Sequence, residues 1–225
     1  MELGKQYHNP EDIRKQNMDL RRYGIATFLL LFMAYTCSGQ KYSFGSCPTT
    51  LRSVITPAAL LLTNIQGVWK EYARSKGTQQ HSWRCATYTI TQITANIQYS
   101  LSIGGRKKVT NSALRVAGTI DIGGSTGGTA TAATFLTFNL NDNALLTNKI
   151  RAFNYYIIGL DAADPTVLAL YACQNVGLGK LESAILLVMS GATDANIVAG
   201  LQALAQNGFP SNSLYFQYQA DCLVI

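Results

Sequence analysis

Residues 82–103 decide the fold. They read Ser82-Trp83-Arg84-Cys85-Ala86-Thr87-Tyr88-Thr89-Ile90-Thr91, a short connection, then Asn96-Ile97-Gln98-Tyr99-Ser100-Leu101-Ser102-Ile103. The first run is rich in aromatic and β-branched residues, which fit a pleated, half-buried surface. The second alternates apolar with polar, the period of a strand with one wet face. Gly104-Gly105 then predicts a turn, with Arg106-Lys107-Lys108 as a solvated hairpin tip. Two strands in succession over a short connection predict an antiparallel pair.

Outward from this pair the chain continues strand after strand. Residues 112–122 and 133–140 predict two more, joined by the glycine-rich stretch 123–128. Those glycines do not form a phosphate loop, because no lysine follows in register and no helical pattern opens after them. Residues 153–160, 167–172 and 183–189 predict three further apolar strands, separated by turn residues at 161–165 and 177–180. One helix follows: Thr193 or Asp194 caps it, Ile197, Val198, Leu201 and Leu204 fall at helical spacing, and Gly208 and Pro210 end it. A last strand, 213–218, leads to Cys222. Consecutive strands with hairpin-length connections predict an all-β, eight-stranded antiparallel up-and-down barrel (a calyx) with one C-terminal helix and a final strand. Closure removes exposed sheet edges. A barrel of this size holds side chains or one small ligand.

Composition agrees. In 225 residues, 48% are hydrophobic and 13% charged, the opposite of a disordered chain and enough for one domain with a core. The net charge is +6, but the only basic cluster is Arg106-Lys107-Lys108. Without a basic stripe there is no nucleic-acid footprint.

The N-terminus predicts an address. Gly24 to Tyr35 reads GIATFLLLFMAY, with Arg21-Arg22 before it and Ser38-Gly39 after it. This is the order of a secretory signal peptide, and the run falls short of the ~20 apolar residues of a membrane span. Residues 1–39 are therefore expected to be a signal with a long n-region, and 40–225 the mature, secreted domain. Met18 is an alternative start, and a signal anchor is the alternative role.

Of five cysteines, Cys37 lies in the signal. Cys47, Cys85, Cys173 and Cys222 remain for an oxidising compartment and allow three pairings. No CxxC pair occurs and the mature chain has one histidine, His81. No metal site is predicted. With the four thiols paired and one histidine, no catalytic residue is predicted either, and the chain is not expected to be an enzyme.

Asn64-Ile65-Gln66-Gly67-Val68-Trp69-Lys70-Glu71-Tyr72 resembles the Gly-x-Trp motif that opens the first strand of the lipocalins. Tyr155 to Asp161 resembles the family's second motif, with Leu160 and Ala162 in place of the Thr and Tyr around its Asp, and Tyr171-Ala172-Cys173 resembles the strand after it. The stretch from Ile185 matches the last barrel strand and its helix, with Met189 where the family has an arginine. The likeness is greatest to the branch of apolipoprotein D and the insect bilin-binding lipocalins. An immunoglobulin domain, the other fold with such a Trp and Tyr-x-Cys, needs a cysteine nearer to Trp69 than Cys47 and a shorter chain.

The resemblance implies Cys47–Cys173 and Cys85–Cys222 disulfides, and Trp69 of the Gly67-Val68-Trp69 motif plugging the closed end. With Cys85 pointing out, alternation turns Ala86, Tyr88 and Ile90 inward. Family position adds Tyr156 and Ile158, and alternation adds Tyr99 and Phe138. This inward set carries almost no charge and suits a neutral or weakly polar ligand: steroid-like, terpenoid, fatty-acyl, carotenoid or bilin. The resemblance therefore implies extracellular binding and transport of a hydrophobic small molecule, with no required cofactor and no stable membrane span after signal cleavage. The second reading is a pigment or structural partner-binding lipocalin that works as an oligomer, a homo-oligomer being the expected form. Secretion carries its own test. N-terminal sequencing of protein from culture medium should begin within a few residues of Gln40, and membrane-bound protein that retains Met1 would contradict it.

Overall fold

Among the described residues, ten strands and one α-helix follow one another in the order the chain pattern requires. They are β1 (Lys41–Phe44), β2 (Gly67–Ser75), β3 (Trp83–Thr94), β4 (Gln98–Lys107), β5 (Ala113–Gly123), β6 (Phe135–Leu140), β7 (Ala152–Leu160), β8 (Val167–Val176), β9 (Gly179–Val188), α1 (Asp194–Gln206) and β10 (Leu214–Phe216). The computed structural model describes residues 41–52, 65–76, 83–94, 98–123, 135–141, 152–160 and 165–217. All belong to the compact unit Gly39–Ile225. The expected signal segment, His81 and Cys222 lie outside the described residues.

Each strand from β2 to β9 pairs antiparallel with the next, and β9 pairs back onto β2, closing an eight-stranded barrel. Two strands add to its wall from outside: β1 along β9 and β10 along β2. The direction alternates at every hairpin. The turns after β4 and β8 therefore lie at one end of the barrel, and the start of β2, with Trp69, lies toward the other.

Period-two alternation divides the buried residues into two cores. The inner one takes Trp69, Tyr88, Ile90, Tyr99, Leu101, Ile103, Val116, Ile120, Leu136, Phe138, Ile157, Leu168, Leu170, Ile185 and Leu187. The outer one lies under the helix and includes Ala73, Ile158, Val167, Ala169, Tyr171, Ala184, Leu186, Ala203, Leu204 and Phe209. Thr193 caps α1 by accepting from the Asn196 N–H. The face of α1 that docks is small: Gly200, Ala203 and Leu204 are buried, whereas Val198 is half exposed. Gly159 makes room for the helix, since a Cβ there would lie 3.0 Å from Ala169 and 3.1 Å from Ala203. The helical spacing thus marked the helix correctly but put Val198 on the wrong face. Shape complementarity to the wall, and not side-chain size, selects the buried side.

Two other expectations change. Gly104-Gly105 does not turn the chain. β4 runs through both to Lys107, and the turn falls at Lys108 to Thr110. Gly105 is a notch, because a Cβ there would sit 3.2 Å from the Trp83 ring. The added strand β1, outside the predicted elements, is held by a polar clasp. Glu182 accepts from Ser43 Oγ at 2.9 Å, from Tyr171 Oη at 2.9 Å and from Lys180 Nζ at 2.9 Å. The Cys47–Cys173 disulfide ties the same segment to β8 across 126 residues of sequence. A loop of that length removes roughly 4–5 kcal/mol of unfolded-state entropy in the chain-entropy model.

The clasp makes stability depend on pH. Burial alone would raise the Glu182 carboxyl, but its three donors outweigh burial and hold it below the usual glutamate range. A carboxyl depressed on folding contributes stability above its unfolded pKa and loses it as pH falls through the folded one. The thermal midpoint of Glu182→Gln should therefore lie below that of the parent above about pH 5 and approach it toward about pH 3. A difference that does not vary with pH would contradict the clasp.

Candidate functional site

Among the described residues the barrel interior is lined mostly by apolar side chains and holds a charged pair. Glu71 and Arg74 are 0% and 1% exposed, and Arg74 Nη1 lies 2.5 Å from Glu71 Oε1. Strict alternation from Trp69 would turn Glu71 and Ala73 inward and Arg74 outward. A bulge between Glu71 and Ala73 breaks that register, so Ala73 joins the outer core and Arg74 reaches its partner inside. The opposing strand is bulged at the same height. Between Arg84 and Thr87 the register shifts, and Cys85 takes φ +57°. Trp83 and Ala86 consequently both belong to the inner core.

Both carboxylate oxygens of Glu71 are engaged. Oε1 accepts from Arg74 and from Gln217 Nε2 at 3.1 Å, and Oε2 accepts from the Tyr88 hydroxyl at 3.0 Å. Arg74 Nη2 donates to the Trp83 carbonyl at 2.9 Å, and its guanidinium lies 5.2 Å from the Tyr215 ring centroid. Burial lifts the Tyr88 phenol well above its ordinary pKa, and the neighbouring Glu71 carboxylate raises it further against the opposing pull of Arg74. Tyr88 therefore stays a donor far above neutral pH.

This centre also seals the wall. β2 pairs with β3 only over Gly67–Lys70 and Thr87–Ile90. Above that level the edge of β2 is taken by β10, with Leu214 opposite Ser75 and Phe216 opposite Ala73. Gln217 continues the strap, its N–H donating to the Tyr72 carbonyl while its side chain enters the wall to reach Glu71.

The closed end forms as the Gly-x-Trp motif suggests. Trp69 is fully buried and donates to the Ile65 carbonyl at 2.9 Å. Gly67 has φ +133°, and a Cβ there would overlap the terminal methyl of Met189, which packs against the same inner core. Met189 fills the place beside the motif that the family gives to an arginine. Ile90 stands opposite Gly67 and Tyr99 opposite Ile120, so both lie low in the barrel. Phe138 is higher and packs on Tyr155, with ring centroids 5.0 Å apart. Tyr155 faces Ser183, oxygen to oxygen 3.4 Å, and burial raises its phenol as well. Above this pair Leu114 and Leu140 are only partly buried.

Four sequence-predicted residues, Tyr88, Ile90, Tyr99 and Phe138, thus share the barrel interior. Tyr156 and Ile158 do not: they belong to the outer core, and Ile158 lines a cleft of about 410 Å³ between α1 and the wall, with Gly159, Val167, Asn196 and Gly200. Family position was one residue out of phase, and the inward residues of β7 are Tyr155 and Ile157. The expected inward set, with almost no charge, did not include Glu71 and Arg74, which the structure adds to the interior. Opposite charges three apart on one strand were the available signal, but they share a face only if the strand bulges. Cys85 is disulfide-bonded. Its expected partner, Cys222, lies outside the described residues.

No protein-family model matches the chain, and no curated protein matches it by sequence. Solved structures do match its fold. Apocrustacyanin C1 superposes with a TM-score of 0.59 at 15% identity, covering 80% of this chain and 92% of its own. H1 crustacyanin from the lobster Homarus americanus gives 0.58 at 14%, covering 80% and 91%. Insecticyanin from the tobacco hornworm Manduca sexta gives 0.57 at 12%, covering 81% and 91%. These are lipocalins, and the fold of this chain is the lipocalin barrel.

The charged centre predicts a specific mutational pattern. Glu71→Met leaves the Arg74 charge buried without its partner and should cost about 3–5 kcal/mol in urea unfolding. The Glu71→Met/Arg74→Met double variant should cost less than the sum of the two single variants. Strict additivity would show that the pair does not act as a unit.

Proposed function

We propose that this lipocalin-fold chain is a secreted carrier that binds a small, mostly apolar molecule in the upper part of its barrel. The observation that supports this most is an apolar interior that the fully buried Trp69 fills at one end. Partly exposed inner side chains lie at both ends, Ile122, Leu160 and Met189 near Trp69, and Leu114, Leu140 and Tyr155 toward the end with the β4–β5 and β8–β9 turns, where they surround the candidate cup. The Phe138–Tyr155 pair and Tyr88 form a floor, with Ile90 and Tyr99 supporting it from below. Leu114 and Leu140 form the wall.

The chemistry of this cup selects its occupant. Its surface is aliphatic and aromatic, and the polar groups at its edge are the Tyr155 and Ser183 hydroxyls. The charges of Glu71 and Arg74 compensate each other. Such a lining favours a neutral molecule with at most a few hydrogen-bonding groups, in the range of terpenoid, steroid-like, fatty-acyl and pigment ligands. Binding, and not turnover, is the activity this arrangement suits, because the buried carboxylate is fully engaged in holding the wall. The Arg-Arg and short apolar run of residues 21–35 supports export, and the Cys47–Cys173 bridge suits an oxidising compartment.

The test is titration with a hydrophobic fluorescent probe. Leu140→Asp should weaken binding at least about tenfold, since a carboxylate in the cup must stay hydrated or take up a proton. Val198→Asp, on the exposed face of α1, should bind like the parent. Equal binding by parent and Leu140→Asp would remove the cup as the site, and a parent that binds no apolar probe would end the carrier reading.

A further inference from the structure

The end of the barrel that holds the partly open cup also carries the most exposed apolar side chains of the described residues. Val109, in the β4–β5 turn, is 95% exposed. Leu178, in the β8–β9 turn, is 84% exposed, and Phe44, at the end of β1 opposite Gly179, is 75% exposed. The strand directions put all three at the same end. Val109 and Leu178 stand on different sides of the rim, because β2 and β3 separate β9 from β4.

Cations accompany them. Lys107 and Lys108 immediately precede Val109, and Lys76 follows β2 at the same end. The acidic group of this end among the described outward-facing residues is Glu182, which Lys180 already neutralises at 2.9 Å. Apolar tips exposed on separate turns, with lysines beside them, do not form the contiguous, close-packed patch that a stable protein interface requires. A lipid surface needs no such continuity. Separate tips at one level can enter the acyl boundary while the lysine stems extend to anionic headgroups.

We infer that this rim docks on anionic lipid membranes, with Val109, Leu178 and Phe44 inserting and the exposed Lys107 contacting the headgroups, while Lys108 Nζ rests 3.9 Å over the Tyr215 ring. The inference stands on the rim geometry and is independent of what occupies the barrel. If both readings hold, docking places the mouth of the cup against the phase in which an apolar ligand dissolves.

Co-sedimentation of the secreted protein, purified from culture medium, with phosphatidylcholine vesicles, with and without roughly 30% phosphatidylserine, tests it. The parent should bind the anionic vesicles, bind neutral ones far more weakly, and lose binding as salt rises from about 0.1 to 0.5 M. Val109→Asp/Leu178→Asp should bind at least about tenfold more weakly, from the lost apolar insertion. Lys107→Glu should weaken binding to anionic vesicles alone. Ile93→Asp, whose exposed side chain lies at the opposite end of β3, should leave binding unchanged. Parent protein that ignores anionic vesicles, or a rim double variant that binds like the parent, would overturn the inference, as would an equal loss from Ile93→Asp. Probe titration without lipid keeps the two readings separate: a chain that binds the probe but no vesicle fails only here.

Discussion

The Glu71–Arg74 pair is the interaction on which the upper half of the barrel depends. A closed sheet needs every strand edge covered, and β2 and β3 separate above Lys70. The pair reaches β3 twice, through Arg74 to the Trp83 carbonyl and through Glu71 to Tyr88, and reaches the C-terminal strap once, through Glu71 to Gln217. A buried ion pair is weak evidence of net stability, because desolvation offsets most of its attraction. Its effect here is positional. It holds two bulged strands and the strap in one arrangement, and that arrangement sets the wall of the cup.

The two ends of the barrel consequently differ. Around Trp69 the interior is filled by large side chains, with Met189 over Gly67 in place of the family's arginine. At the other end Leu114, Leu140 and Tyr155 are partly exposed, as Ile122, Leu160 and Met189 are near Trp69. The disulfide from Cys47 and the clasp on Glu182 hold β1 against β9 at the end opposite Trp69. The strands supply rigidity, and the apolar side chains at that end mark the candidate site.

Much of this was legible in the sequence, for identifiable reasons. Period-two alternation in 96–103 fixes which residues of β4 face inward, and Tyr99, Leu101 and Ile103 do so. The Gly-x-Trp motif located the closed end, because only glycine tolerates both φ +133° and the methyl of Met189. Alternation fails where a strand gains a residue. The bulges at Glu71–Ala73, Arg84–Thr87 and Ile157–Gly159 each reset the phase. They hid Arg74 and brought Trp83 and Ala86 to one face. Gly105 misled for a different reason: a glycine that accommodates a neighbour's ring looks in sequence like one that turns the chain. The contact of Gln217 with Glu71 spans 146 residues and has no local signature.

The central claim is that the end of the barrel opposite Trp69 holds an apolar molecule while the charged centre below it stays intact. A crystal structure of the protein purified from its natural source tests this most directly. The account predicts density for a small molecule against Phe138, Tyr155, Leu114 and Leu140, with Glu71 still bonded to Arg74, Tyr88 and Gln217. A molecule bound instead in the cleft between α1 and the wall, or a ligand that breaks the Glu71–Arg74 pair, would contradict it.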